Sequence, residues 1–188
     1  MIEIVNIDEN AVKRMNDILS LVPEKAKEAY KNAFNAGLKA ARDTTKKEIL
    51  KTYAISSGDF SANSKIKLKY AGSYNASASI SYNGYKIPLY KFNVTPKGAP
   101  SRSIVSAGVL KSGGRRSFSS AFIARMKNGH IGMLERDTNK RFPISEFMAL
   151  APAQMAWRDE ISEARDKAAE EKANTVLDQE ISRIINNI

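Results

Sequence analysis

Apolar residues recur every three to four positions through two long stretches of the chain, one towards each end. In the first, a stripe of mostly small side chains runs along residues 23–52, opposite a side rich in lysine. This pattern predicts an amphipathic helix that another element can approach closely. Pro23 fits its first turn, where the missing N–H costs no hydrogen bond. The same spacing in residues 8–19 predicts a shorter helix before it.

The second apolar stripe predicts one long helix over residues 154–187. Carboxylates interleaved with basic residues, Arg165 among them, cover its first half, which is typical of a solvated helix face. Just before it, ISEFMALAP predicts a short helical turn that ends at Pro152. Residues 143–188 are therefore expected to be helical. The predicted seam consists of Trp157, Ile161, Ala164, Ala168, Leu177, Ile181, Ile184 and Ile188.

Between these stretches the hydrophobic period falls to two, which predicts a β-rich segment over residues 53–142. Residues 65–70 alternate lysine with apolar side chains. Residues 76–82 alternate small side chains and run into Asn83-Gly84, a two-residue turn signal. Residues 86–94 then predict a further strand, which Pro88 places at a sheet edge or a strand start.

Residues 95–120 show no steady period and are rich in Gly, Ser and Pro, so we expect a long irregular loop. Its apolar run 104–110 is a candidate for a short strand within the loop. The run SGGRR lacks the spacing of a P-loop or of a dinucleotide-binding motif. Two interpretations of this run stay open: a flexible exposed loop, or backbone N–H groups that cradle a phosphate beside Arg115 and Arg116.

The segment AFIARMKNGHIGMLER, residues 121–136, contains the only histidine of the chain. Asn128-Gly129 between two apolar runs predicts a β-hairpin with a two-residue turn. This register pairs Lys127 with His130 at the hairpin tip. His130 is then either a structural residue of the turn or a lone catalytic base, and a base needs an orienting partner and a pocket. The same register puts on one face Phe122, Ala124, Met126, Ile131 and Met133.

The middle of the chain and its C-terminal part differ in the sign of their net charge. The formal net charge is +10. Residues 86–142 carry 12 Lys/Arg against two Asp/Glu, whereas residues 143–188 carry five against nine. The basic middle therefore suits a polyanion such as nucleic acid, or an acidic protein surface, including the C-terminal segment of a sister subunit.

Candidate chemistry is sparse by comparison. The chain has no cysteine, which excludes disulfides and thiolate metal sites. No G-x-S-x-G nucleophile motif occurs, and no apolar run approaches the roughly 18 residues of a membrane span. The acidic N-terminal stretch lacks the features of a secretory signal. We expect no enzyme activity, no cofactor, no metal and no membrane partner.

Three segments in a fixed order carry a resemblance to a known family: IPLYKF at 87–92, AFIARMKNGHIGMLER at 121–136 and RFPISEFMALAPAQMA at 141–156. Together they resemble the tailed-bacteriophage minor tail protein Z family, whose members are also called tail completion proteins. In that family a basic A-x-x-A-R-M-x-x-G-H-x-G hairpin precedes an R-x-P-I-x-E segment. This chain departs from the family pattern at Met148-Ala149-Leu150-Ala151, where a Gly-containing stretch is more usual.

The resemblance implies a virion structural protein that acts late in tail assembly, where the tail tube meets the head connector, and that has no catalytic residues. It implies a ring, with six copies as the expected number, and partners among other phage tail and connector proteins. The protein would be made in the host cytoplasm and end in the tail of the virion. A basic nucleic-acid-binding protein is the alternative.

Opposite charges on one chain favour a head-to-tail contact between copies, which closes into a ring if the rotation permits. The predicted fold is α+β, a single domain over residues 1–188. Long N-terminal and C-terminal helices pack on a mainly antiparallel β-sheet of hairpins with a long basic loop, and residues 8–52 are helical. The expected partner-binding residues are Arg102, Lys111, Arg115, Arg116, Arg125, Lys127 and His130.

Overall fold

The computed structural model describes residues 23–72, 77–101 and 103–186. The predicted helix over residues 8–19 and the candidate residue Arg102 lie outside these ranges. The predicted α+β class, with a long helix towards each end and antiparallel strands between, is confirmed. In chain order the elements are α1 Pro23–Thr52, α2 Ser57–Asn63, β1 Lys65–Lys69, β2 Ser79–Asn83, a 3-10 helix Leu89–Lys91, β3 Asn93–Thr95, β4 Val105–Gly108, β5 Arg116–Phe118, β6 Phe122–Arg125, β7 Ile131–Arg136, β8 Ile144–Glu146, α3 Pro152–Ala156 and α4 Asp159–Ile185.

The described residues form two compact units. The first unit contains the two-stranded sheet β1–β2, most of α1, and α4. The second contains two antiparallel three-stranded sheets, β3–β4–β5 and β6–β7–β8. The ranges are 23–47, 66–72, 77–82 and 156–186 for the first unit, and 48–65, 83–101 and 103–155 for the second.

In the first unit, small side chains on α1 let α4 pack closely against it. Alanines spaced at i, i+3 and i+7 on α1 are fully buried against leucine and isoleucine side chains of α4. Asn32 Nδ2 also donates a 2.9 Å hydrogen bond to Glu180 Oε1 between the same helices. The predicted helix over residues 23–52 is confirmed at both ends. The cluster consists of Ala26, Ala29, Ala33, Leu177, Ile181 and Ile184.

Helix α2 lies inside the segment that is predicted to be β-rich, so that prediction is wrong over these seven residues. The Asp59 backbone N–H donates to Ser56 Oγ at 3.0 Å, and Ser56 Oγ donates to the Asp59 carboxylate at 2.7 Å. This reciprocal cap begins the helix, and Phe60 anchors it as a fully buried side chain. With seven residues and a single buried side chain, this helix is too short for its sequence to show a 3.6-residue period.

The segment after β2 folds differently from the prediction. Among the described strands, β2 pairs with β1 and not with a strand beyond Asn83-Gly84. Instead of a strand over residues 86–94, Pro88 makes an isolated bridge to Met148 and a 3-10 helix follows. Residues 95–120 are not irregular throughout, because the apolar run within them forms β4, the central strand of β3–β4–β5. The sheet supplies hydrogen-bond partners that the Gly- and Ser-rich composition does not reveal.

The predicted helical segment 143–188 contains a strand and a break. Ile144–Glu146 pair with β7 as β8, where a short helical turn is predicted. Pro152 begins helix α3 instead of ending a turn. Trp157 and Arg158 separate α3 from α4, so the single long helix predicted here is divided. Pairing with β7 overrides the local pattern, as is common where an edge strand finds a partner.

Arg165 is buried, which contradicts its predicted place on a solvated face. Only 2% of the residue is exposed, and its guanidinium carbon lies 4.4 Å from the centre of the Trp157 ring. Its Nε and Nη2 donate to the Asp166 carboxylate at 2.8 and 3.2 Å. The seam therefore passes through Arg165 and not through Ala164 or Ala168. Buried in α4 are Ile161, Arg165, Ala169, Ala173, Leu177, Ile181 and Ile184.

Asp59 makes the stability of the second unit depend on pH. Burial acts to raise the pKa of Asp59, but hydrogen bonds from Ser56 and from Lys91, whose Nζ lies 3.0 Å from the carboxylate, outweigh it and lower the pKa. A lowered native pKa stabilises the fold above the unfolded value of about 3.9, and this stabilisation disappears as the pH falls through the native value.

We expect Asp59→Asn to lower the free energy of unfolding near pH 7 by about 1 kcal/mol or less. The difference from the unchanged protein should shrink progressively below about pH 4, because Asp59 of the unchanged protein becomes protonated there, first in the unfolded and then in the folded state. Urea denaturation at a series of pH values measures this, with the exposed Asp137→Asn as the control. A loss in Asp59→Asn that stays constant down to about pH 2 would contradict the linkage.

Replacement of Arg165 tests the buried stacking on Trp157. We expect Arg165→Ala to lower the free energy of unfolding by about 2–5 kcal/mol, because it removes a large buried side chain. Arg165→Met keeps much of the volume and should lose only the guanidinium contacts. The fluorescence of Trp157, the single tryptophan, follows unfolding in both variants. Lys167→Ala on the exposed face is the control, and an equal effect there would rule out the packing argument.

Candidate interaction surface

The hairpin of β6 and β7 turns through three residues, 127–129. The Gly129 N–H donates to the Met126 carbonyl at 2.9 Å, and the Met126 N–H donates to the His130 carbonyl at 2.7 Å. Gly129 has a φ of 85°, a left-handed conformation that glycine adopts without strain. Three-residue hairpin loops commonly end in such a glycine. The predicted two-residue turn is therefore wrong.

The longer turn shifts the strand register by one residue. Ile123 pairs with Met133, whereas the predicted register puts these two side chains on opposite faces. Both are almost completely buried, at 1% and 0% exposure. His130 lies opposite Met126 and not opposite Lys127, so the predicted histidine–lysine pair at the tip does not form. The extra turn residue allows the two apolar side chains to share one face.

His130 has a carboxylate partner on the third strand of its sheet. Its Nε2 lies 2.8 Å from Oε1 of Glu146 in β8, and the two side chains are 37% and 25% exposed. Gly132 leaves room for this contact, since a Cβ there would lie 2.6 Å from the Glu146 oxygen and 3.3 Å from the His130 nitrogen. Glu146 cannot be recognised from the sequence, because the local pattern predicts a helical segment there.

The His130–Glu146 pair ties β8 to the base of the hairpin tip. An imidazole oriented by a carboxylate is one part of a general-base arrangement. Over residues 23–72, 77–101 and 103–186, no three His, Cys, Asp or Glu side chains gather in a way that would hold a metal ion. The contact joins the hairpin tip to the third strand of its sheet.

The structure divides the expected partner-binding residues between the two sheets of the second unit. Lys111, Arg115 and Arg116 belong to the region of β4 and β5, and Arg125, Lys127 and His130 belong to the β6–β7 hairpin. Lys111 is exposed, and its backbone N–H donates to the Thr52 carbonyl at 3.0 Å. Arg115 donates to the Thr95 hydroxyl. Within the described ranges, no contact joins these six residues into one cluster.

A family model described as prophage minor tail protein Z (GPZ) matches residues 7–187 of the chain. The chain belongs to this family. No curated protein and no solved structure matches it. It is therefore a structural component of a phage virion, located in the tail and in contact with other tail proteins. None of the helices in the described part of the chain has the length and apolar character that crossing a membrane requires.

For a minor tail protein, exposed basic side chains without internal partners are available for contacts with neighbours. Arg125 and Lys127 are exposed, and within the described ranges neither forms an ion pair. Two arginines that no sequence pattern marks, Arg136 and Arg141, also stack on phenylalanine rings. Arg136 lies over Phe122, Arg141 over Phe142 and Arg116 over Phe118. The distances from guanidinium to ring centre are 5.2–5.9 Å, within the range of cation–π contacts.

A double-mutant cycle tests the link between the hairpin tip and β8. We expect His130→Ala and Glu146→Gln to be coupled by about 0.2–1 kcal/mol in the free energy of unfolding, as for a partly exposed polar side-chain contact. Gly132→Ala should abolish the coupling, because its Cβ would displace the Glu146 carboxylate. Urea denaturation measures the cycle. His130→Ala combined with Glu135→Gln is the matched control, and equal coupling in both cycles would refute the pair.

Proposed function

We propose that this minor tail protein completes the phage tail, or the head–tail joint, by closing into a ring through head-to-tail contacts between copies. The separation of charge along the chain carries this proposal: 12 basic against two acidic residues in 86–142, and five against nine in 143–188. A subunit with two different complementary patches contacts its neighbour heterologously, and such contacts form a ring when the rotation closes. Six copies is the number that the family resemblance implies.

The exposed positions of the basic residues support this arrangement. Lys111, Arg116, Arg125 and Lys127 are all exposed in the second unit. The acidic carboxylates of α4 belong to the first unit. Complementary potentials steer association and set its register more than they raise its affinity. Copies made in the host cytoplasm would then meet in one orientation, with other tail and connector proteins as further partners and no catalytic step.

Nucleic-acid binding is the competing function, because arginine beside aromatic side chains is also how single strands are bound. Exposed Phe142, at 63%, next to Arg141 is the observation that favours it. A polyanion binder loses affinity linearly in log–log terms as salt rises, with a slope near −0.9 per phosphate contact. A ring-former instead assembles into discrete oligomers without nucleic acid.

Light scattering after size-exclusion chromatography tests the ring. We expect one discrete oligomer whose fraction rises with protein concentration and which dissociates at about 1 M salt, where the Debye length is only about 3 Å. A monomer at every concentration, with steeply salt-dependent DNA binding, would overturn the ring and favour the alternative.

A further inference from the structure

We propose that the contact between copies joins the tip of the β6–β7 hairpin of one copy to an acidic row on α4 of the next. The basic tip is Arg125 and Lys127. The acidic row is Asp159, Glu163, Asp166 and Glu170. This inference rests on the proposed ring and assigns the two surfaces that would form its repeated contact.

The acidic row follows from the spacing of its members along α4. Steps of three and four residues keep the four carboxylates within about 60° of the helix circumference, over a length of about 16 Å. All four residues are exposed. Asp166 accepts from the buried Arg165, which holds that carboxylate in place. In the described part of the chain, the other three carboxylates have no ion-pair partner.

Contacts within the chain position the basic tip without a partner. Asn128 Oδ1 accepts a 3.1 Å hydrogen bond from the His130 N–H, and Gly129 closes the turn with its positive φ. The 2.8 Å contact between His130 and Glu146 fastens the base of the tip to β8. Glu146 is thereby paired with His130, and it is not the partner of Arg125 or Lys127. Ordering before binding lowers the entropy lost on association.

A second copy of the chain fits these two surfaces better than a nucleic acid does. Every copy carries one tip in its second unit and one acidic row in its first, so one kind of contact repeats around a ring. The carboxylates of the row would repel a polyanion that approached them. A neighbouring copy satisfies the charge of both surfaces at once.

Charge reversal on each surface, alone and together, tests the assignment in the full chain. We expect Arg125→Glu with Lys127→Glu, or Glu163→Lys with Glu170→Lys, to raise the concentration at which the oligomer dissociates by about tenfold or more, since like charges then face each other. The quadruple variant should recover most of the loss. Lys97→Glu with Lys140→Glu, two exposed lysines of the same unit, changes the net charge equally and should have little effect.

The outcomes separate this assignment from the ring itself. A wild-type chain that stays monomeric overturns the ring. An oligomer that neither reversal weakens, or a quadruple variant that fails to recover while Arg125→Gln with Lys127→Gln remains folded and fully assembled, overturns the assignment and leaves the ring standing. Loss of DNA binding in the tip variant without any change in assembly also overturns it, in favour of a nucleic-acid contact. Far-UV circular dichroism confirms that each variant is folded.

Discussion

The three-residue turn that closes at Gly129 sets the register on which the candidate surface depends. With its φ of 85°, it aligns Ile123 with Met133 on a buried face, while His130 lies within reach of Glu146. Side chains alternate along a strand, so a slip of one residue would move each of them to the opposite face. The burial of the apolar pair and the fixed position of the basic tip have this one cause.

Short elements in the second unit are held by side-chain contacts as well as by pairing. Its strands are three to six residues long, and isolated pairs of such strands are marginally stable in water. The cap at Ser56, the ion pair of Asp59 with Lys91 and the pair of His130 with Glu146 each fasten one short element to another. Each of these contacts holds a short element in place within this structural component of the virion.

In the proposed ring, the separation of charge along the chain sets how copies of this minor tail protein meet. A chain whose copies were uniformly basic would repel itself, whereas opposite patches attract only in particular orientations. The buried Arg165 contributes to both stability and charge, since it stacks on Trp157 and positions the Asp166 carboxylate at the surface of α4. Packing inside the first unit and the charge pattern on its outside are thus linked through one residue.

The amino-acid pattern alone is enough to locate helix α1, the separation of charge and the family. Helix α1 begins at Pro23 and ends at Thr52 as predicted, because its hydrogen bonds lie within the element and its apolar stripe repeats over about eight turns. The apolar run 104–110 already marks the position of β4, but β5 and β8 exist only in the folded chain, since a strand of three residues takes its hydrogen bonds from strands elsewhere in the sequence. The contact of His130 with Glu146 likewise exists only after β8 pairs with β7.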